Sequence, residues 1–289
     1  MSDGVMAELN PLLVEEIVRR ALVEDLGTGD LTTQAVVEPG RLATGLVIAK
    51  APGVIAGLPV AREVFRQLDP RVEFVASVGE GTVLADPEVP REVARIYGPA
   101  RPILTGERVA LNFLQHLCGV ATLTRAVVEQ LRGTGARLVD TRKTLPGLRA
   151  LEKYAVRAGG GYNHRQGLYD AVLLKDNHLA LAGGITAAVK AVRAQVGHVV
   201  RVEVEVEELA QLEEAIAAGA DIVLLDNMPP EEMSEAVRMA RGRCLLEASG
   251  GITLDNVAAV GRMGVDLVSL GALTHSAPAL DLCLEVREA

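Results

Sequence analysis

Between Ala136 and Gly271 one pattern repeats. Short apolar runs, ARLVD (136–140), AVLLK (171–175), RVEVEV (201–206), DIVLLDN (221–227), CLLEAS (244–249) and LVSLG (267–271), read as strands. The segments between them, LRALEKYAVRA, ITAAVKAVRAQV, EELAQLEEAIAAG, PEEMSEAVRMARG and TLDNVAAVGRMG, carry apolar residues at helical spacing. Strand alternating with helix implies right-handed crossovers and a parallel sheet. Six such strands predict a closed or nearly closed α/β barrel. An open doubly wound sheet is the competing arrangement. It ordinarily carries a glycine-rich dinucleotide turn after its first strand, and the sequence has none.

The rest of the composition fits an α/β chain. Of 289 residues 49% are hydrophobic and only 2% aromatic, so the core is built from Val, Leu, Ile and Ala. No apolar run approaches a membrane span, and the start, MSDGVMAELN, lacks the basic and apolar regions of a signal peptide. Cys118, Cys244 and Cys283 are far apart and odd in number. They form neither a metal motif nor a disulfide framework, which predicts a cytoplasmic location. A net charge of −9 with few aromatics argues against a nucleic-acid surface.

Ahead of the repeats, residues 11–26 read as a helix ended by Gly27, and Asp30-Leu-Thr-Thr as turn and capping chemistry. From 41 to 89 come β-prone runs, LATGLVIAK, GVIAG, VEFVASV and GTVLAD, around a helix, GLPVAREVFRQL. Residues 99–118 predict an extended, proline-containing entry and then a helix capped by Thr105, with Arg108 in its first turn. A cation there opposes the helix dipole, so Arg108 is as readily a ligand group as a surface arginine. The tail, THSAPALDLCLEV, reads as a helix packed on the N-terminal part.

In this acidic protein the 39 residues from Asp140 to His178 carry seven Lys/Arg against four acids. Cations gathered in one segment predict a site for a small anion. Arg149, Lys153 and Arg157, spaced by four, read as an exposed helix stripe. Arg142, Lys143, His164, Arg165 and Lys175 instead sit beside strand-like runs and a triple glycine. Successive strands end in Lys175, Glu205, Asp226, Ser249-Gly250-Gly251 and Gly271, which a parallel barrel gathers at one mouth. Period two puts Glu203 and Glu205 on the interior face of their strand. Glu205 and Asp226 can hold Mg2+, directly or through water, or accept sugar hydroxyls. The glycines at 250–251 and 271 leave backbone N–H groups open to a phosphate.

These residues carry a resemblance. EDLGTGDLTT, GERVALNFLQHLCGVAT, the whole block from Asp140 to His178, VEVEV, ADIVLLDN, EASGGI and SLGALTHS are similar to the quinolinate phosphoribosyltransferase family, from about residue 24 to 276. The resemblance implies a sandwich-like N-terminal α/β domain (1–115, joined by tail 275–289) and an incomplete (β/α) barrel (116–274). It implies the transfer of phosphoribosyl from 5-phosphoribosyl 1-diphosphate to quinolinate with Mg2+. The products are nicotinate mononucleotide, diphosphate and CO2, as in NAD biosynthesis. It implies a homodimer or larger homo-oligomer in which Arg108 serves the neighbouring site. Arg142, His164, Arg165 and Lys175 then hold the quinolinate carboxylates, with Thr141 in the same site. Lys143 lies near the diphosphate or the pyridine. Glu205 and Asp226 take ribose hydroxyls and Mg2+, and Ser249, Gly250, Gly251, Leu270, Gly271 and Ala272 take phosphate.

The chemistry fits such a site. Fixed cations suit a dianion, and carboxylates stabilise positive charge at the anomeric carbon as diphosphate leaves. Of these groups, Lys143, Glu205 and Asp226 act on the reacting atoms. The pyridinium formed by ring-nitrogen attack accepts the electrons released with CO2, so no dedicated catalytic base is expected. The alternatives are a related phosphoribosyltransferase for another aromatic acid, a Schiff-base aldolase using Lys175, and a non-catalytic sensor.

Overall fold

The computed structural model describes residues 9–86 and 88–289. The N-terminal stretch read as lacking a signal peptide lies, through residue 8, outside them. The chain forms two compact units: Met1–Arg125 with Leu145–Gly160 and Leu273–Ala289, and Ala126–Thr144 with Gly161–Ala272.

The first unit runs α1 (Pro11–Leu26), α2 (Leu31–Val36), β1 (Leu42–Ala49), β2 (Gly53–Val54), α3 (Leu58–Leu68), β3 (Glu73–Ala76), β4 (Val83–Leu84), β5 (Arg91–Pro99) and α4 (Ala100–Leu131), whose last residues belong to the second unit. Asn10 caps α1 and Asp30 caps α2, each accepting a backbone N–H, so the capping reading of Asp30 holds. Its sheet is antiparallel in the order β12-β1-β5-β3, where β12 is Leu282–Glu288. β1 alternates buried and half-buried residues as a strand with one covered face must. α3 turns Val60, Ala61, Val64 and Phe65 inward, and Phe65 stacks on Phe74 of β3 with ring centroids 6.2 Å apart.

Several sequence expectations change here. The tail is a strand, not a helix. Leu282, Leu284 and Val286 alternate with Cys283, Glu285 and Arg287, and β12 pairs antiparallel with β1 from Ala43↔Glu288 to Ala49↔Leu282. It does join the N-terminal sheet, as expected. β5, at the centre of that sheet, was not read. α4 is one continuous helix, with Pro102 in its first turn, where no N–H is required. Thr105 is therefore mid-helix, its hydroxyl donating to Asp30 Oδ2 at 2.9 Å, and Arg108 lies exposed further along rather than at a helix start. The exposed cationic stripe is also absent. In α5 (Arg149–Ala158) the six residues from Leu151 to Val156 are all buried, so the helix is covered on every side. Lys153 is 2% exposed, Arg149 and Arg157 are half-buried, and none of the three is without a partner.

The second unit continues with β6 (Arg137–Val139), β7 (Val172–Leu174), α6 (Asp176–Ala182), α7 (Ile185–Arg193), β8 (Val202–Val206), α8 (Leu209–Ala217), β9 (Ile222–Asp226), α9 (Pro230–Ala240), β10 (Leu245–Ser249), α10 (Val257–Arg262) and β11 (Leu267–Ser269). α11 (Ala272–His275) follows. The six strands pair in the order β6-β11-β10-β9-β8-β7, and each neighbouring pair is parallel. β6 and β7 end the order, so the (β/α) barrel is incomplete. Val202, Val204 and Val206 are at most 1% exposed, as expected for the helix-facing side of β8.

Candidate active site

Every strand of the barrel runs toward one mouth, and the residues just past each strand line a cavity there of about 630 Å3. It brings together Thr141, Arg142, Lys143, His164, Arg165, Lys175, Glu205, Asp226, Ser249, Gly250 and Gly251. These come from six separate stretches of chain and were all expected at one site. Leu270 is not among the lining residues. It is 4% exposed and its N–H already donates to Val139 O at 3.2 Å, so that donor is spent in the sheet. Gly271 and Ala272 are half-buried at the start of α11, also outside the lining. Arg108 belongs to the first unit.

The cationic segment is held by its own acid. Asp140, fully buried, accepts from Asn163 Nδ2 at 2.6 Å and His164 N at 2.8 Å, fastening the loop that carries His164 and Arg165 to the end of β6. Thr141 Oγ1 accepts Lys143 N at 3.0 Å and turns the chain so that Arg142 and Lys143 face solvent. His178 Nδ1 accepts Lys175 N at 3.0 Å, which anchors Lys175 at the start of α6. Arg142 and Arg165 repel each other. Arg165 is held below its ordinary range, first by burial and then by the charge of Arg142. Two adjacent cations in that state favour an anion between them.

Opposite them stand the acids. Glu205 Oε2 pairs with Lys175 Nζ, so two of the strand-end charges neutralise each other. Asn227 Nδ2 donates to Asp226 Oδ2 at 3.1 Å. The oxygen donors suit a hard cation such as Mg2+, with Glu205 shared with Lys175. Beside them Gly250 (φ +84) and Gly251 (φ +61) are both left-handed, and a Cβ on Gly250 would lie 2.3 Å from Asn227 Oδ1. Two such residues in succession form a concavity of backbone that side chains would fill.

A deeper layer was only partly read. Glu203 (2% exposed) and Glu247 (1% exposed) face each other inside the barrel. His164 Nε2 lies 3.0 Å from Glu203 Oε2 and 3.7 Å from Glu247 Oε2. Its Nδ1 accepts Arg165 N at 2.7 Å, so the ring proton sits on Nε2 and is donated to Glu203. Both ring nitrogens of His164 are thus engaged by the protein, which makes it a support for Arg165 as much as a ligand group. Glu247 was missed, although period two through Leu245, Glu247 and Ser249 puts it on the same inward face as the expected Ser249. Asn227, Leu173, Leu224 and Ser269 also line the cavity unannounced.

Comparison with known proteins agrees over both units. Residues 30–118 match the quinolinate phosphoribosyl transferase N-terminal domain and residues 120–285 its C-terminal domain. The chain is 45% identical over 278 residues to the probable nicotinate-nucleotide pyrophosphorylase [carboxylating] of Bacillus subtilis, covering 96% of this chain and 95% of that protein. It is 46% identical over 279 residues to the nicotinate-nucleotide pyrophosphorylase [carboxylating] of Mycobacterium leprae, covering 94% and 96%. The crystal structure of NadC from Streptococcus pyogenes superposes with a TM-score of 0.93 at 43% identity, covering 98% of this chain and 99% of that one. This chain belongs to the quinolinate phosphoribosyl transferase family.

Proposed function

We infer that this chain is the enzyme that transfers phosphoribosyl from 5-phosphoribosyl 1-diphosphate to quinolinate and releases nicotinate mononucleotide, diphosphate and CO2. The observation that carries this is the single mouth in which Arg142, Lys143, Arg165 and Lys175 face Glu205, Asp226 and the Ser249-Gly250-Gly251 concavity.

In this reading Arg142, Arg165 and Lys175 hold the two quinolinate carboxylates, with His164 bracing Arg165 and Thr141 setting the loop. Arginine suits carboxylates because its donors form a planar fork. Ser249, Gly250 and Gly251 take the 5-phosphate, with Gly271 and Ala272 behind them. Glu205 and Asp226 orient the ribose hydroxyls and oppose the positive charge that develops at the anomeric carbon. They would also hold Mg2+, which supplies charge neutralisation for the diphosphate, while Lys143 meets that group as it departs. The enzyme acts as a homodimer or larger homo-oligomer in the cytoplasm, with Arg108 of each subunit completing its neighbour's site. Lys175 argues against the aldolase alternative, because Schiff-base chemistry requires a free neutral amine and this one is paired with Glu205.

The test is turnover with 5-phosphoribosyl 1-diphosphate and Mg2+, offering quinolinate and nicotinate separately. Nucleotide and CO2 from quinolinate alone is the expected result. Turnover of nicotinate alone overturns the substrate, and inertness toward both overturns the reaction. Mixing the Arg108→Ala and Lys175→Met proteins, each impaired alone, restores activity if sites are shared between subunits.

A further inference from the structure

The buried acids below the mouth are not used by the reaction as described above. Strands run toward the mouth, so the residue two positions earlier on the same face lies one layer deeper. Below Lys175, Glu205, Asp226 and Ser249 lie Leu173, Glu203, Leu224 and Glu247. Of these Leu173, Leu224 and Glu247 line the mouth cavity and form its floor. A second cavity, of about 370 Å3, opens among residues that begin the strands, such as Arg137, Arg201, Ile222 and Leu267. Glu247 lines both cavities, whereas Glu203 lines only the rear one. Glu247 Oε1 is buried and has no hydrogen-bond partner. A buried carboxyl with an idle oxygen, placed between substrate and a second water-accessible space, is costly unless it has work to do.

The reaction leaves such work open. When CO2 departs, the bond from C2 to its carboxylate breaks and the electron pair stays on C2, beside the positive ring nitrogen. That carbon must gain one proton to become nicotinate mononucleotide, and no group assigned above supplies it. Resting on the function proposed above, we propose that the Glu247 carboxyl is the acid that protonates C2, and that solvent reaching it through the rear cavity restores its proton. The carboxyl O–H bond breaks and the C2–H bond forms as the bond from C2 to its carboxylate breaks, so CO2 release depends on that proton, and Glu247 is left as carboxylate until a solvent proton returns. One proton is consumed per CO2 released.

The surroundings favour the protonated form of Glu247. Burial first, and the charge of Glu203 second, push its carboxyl up to about 7. The groups facing it are Glu203 from β8, His164 from the loop after Tyr162, Ser269 from β11, which hydrogen-bonds to it, and Asp140 at the end of β6. Glu203 accepts the Nε2–H of His164, a contact Glu247 lacks at 3.7 Å. A metal ion among His164, Glu203 and Glu247 is the rival reading of this cluster. It requires Nε2 of His164 to be bare, and the Arg165 N–H on Nδ1 puts the proton there.

The test is single turnover of Glu247→Gln, which keeps shape and polarity without a transferable proton, following diphosphate and CO2 separately. Diphosphate release stays within about threefold of the parent while CO2 and nucleotide formation fall about a hundredfold, the usual contribution of a general acid. The fall in the parent's decarboxylation rate above neutral pH disappears in the variant, and Glu247→Asp restores part of the rate. A variant that decarboxylates within about threefold of the parent with the same pH profile, or that loses both steps equally, overturns the proposal. Should Glu247→Gln fail to fold, the infrared carbonyl band of a buried protonated carboxyl decides the matter in the parent. Its presence at pH 6, with loss on titration through about 7, supports the donor, and its absence overturns it. Parent protein inert toward quinolinate removes the parent reading and this one together, while parent turnover makes the variant's result bear on Glu247 alone.

Discussion

Replacing Gly250 with alanine tests the architecture of the mouth without touching a charge. Gly250 sits at φ +84, where an L side chain is strained by roughly 1–2 kcal/mol. Its new Cβ would also lie 2.3 Å from Asn227 Oδ1, so Asn227 must move. Asn227 Nδ2 holds Asp226 Oδ2 at 3.1 Å, and losing that bond adds about 0.5–1.5 kcal/mol. Gly251→Ala is the matched control. It has the same sign of φ, +61, but its nearest contact is an ordinary 3.8 Å. The two variants share the backbone penalty, and only Gly250→Ala carries the displacement. Thermal melting without ligand should place Gly250→Ala lower than Gly251→Ala by roughly 2–4 °C, the shift for about 1 kcal/mol in a chain of this size. Because Asp226 moves, its KM for 5-phosphoribosyl 1-diphosphate should rise as well. Equal melting temperatures for the two variants would refute the argument that Asn227 couples the glycine pair to Asp226.

Three further outcomes follow from the same geometry. Lys175→Met should raise the quinolinate KM by more than about tenfold yet change urea stability by no more than about 1 kcal/mol, because the Lys175–Glu205 pair is part-exposed. Glu152→Ala should lower urea stability by about 2–5 kcal/mol, since Glu152 is fully buried and its loss strands His116 Nε2 (2.8 Å) and Leu145 N (3.2 Å). Glu247 is raised in the folded protein from its ordinary 4.5 to about 7, so its contribution to stability is full below 4.5 and is lost as pH rises through 7. Unfolding of parent and Glu247→Gln measured from pH 5 to 8 should shift in the variant's favour by roughly 2–3 kcal/mol, and a constant gap would contradict the raised value.

Much of the barrel was legible because its signals are local. β-prone runs such as DIVLLDN and amphipathic runs such as ITAAVKAVRAQV carry their own periodicity, and β9 and α7 lie where that periodicity puts them. Parallel strands converge by topology alone, so the sequence places Lys175, Glu205, Asp226 and Ser249 at one mouth, where the structure has them. Where the sequence misled, the deciding contacts lay far away in the chain. The spacing of Arg149, Lys153 and Arg157 describes a stripe equally well whether it meets water or protein, and only packing around α5 buries Lys153. LCLEV has too few residues to choose between periods, and pairing with β1, more than 200 residues earlier, makes it a strand. Pro102 marks an extended entry by local propensity, yet tolerance of proline in a first turn lets α4 begin at Ala100.

The sequence by itself determined the class of fold, the residues at the strand ends and the anionic character of the ligand, because those follow from period, connectivity and charge. Tertiary structure alone decided the state of each polar group. Which nitrogen of His164 carries the proton, that Leu270 N–H is already spent on Val139, and that Glu203 and Glu247 meet as two buried acids all depend on partners from other strands. A hydrogen bond or a pKa belongs to a pair of groups and their dielectric surroundings, and a one-dimensional pattern specifies the groups but not the pair.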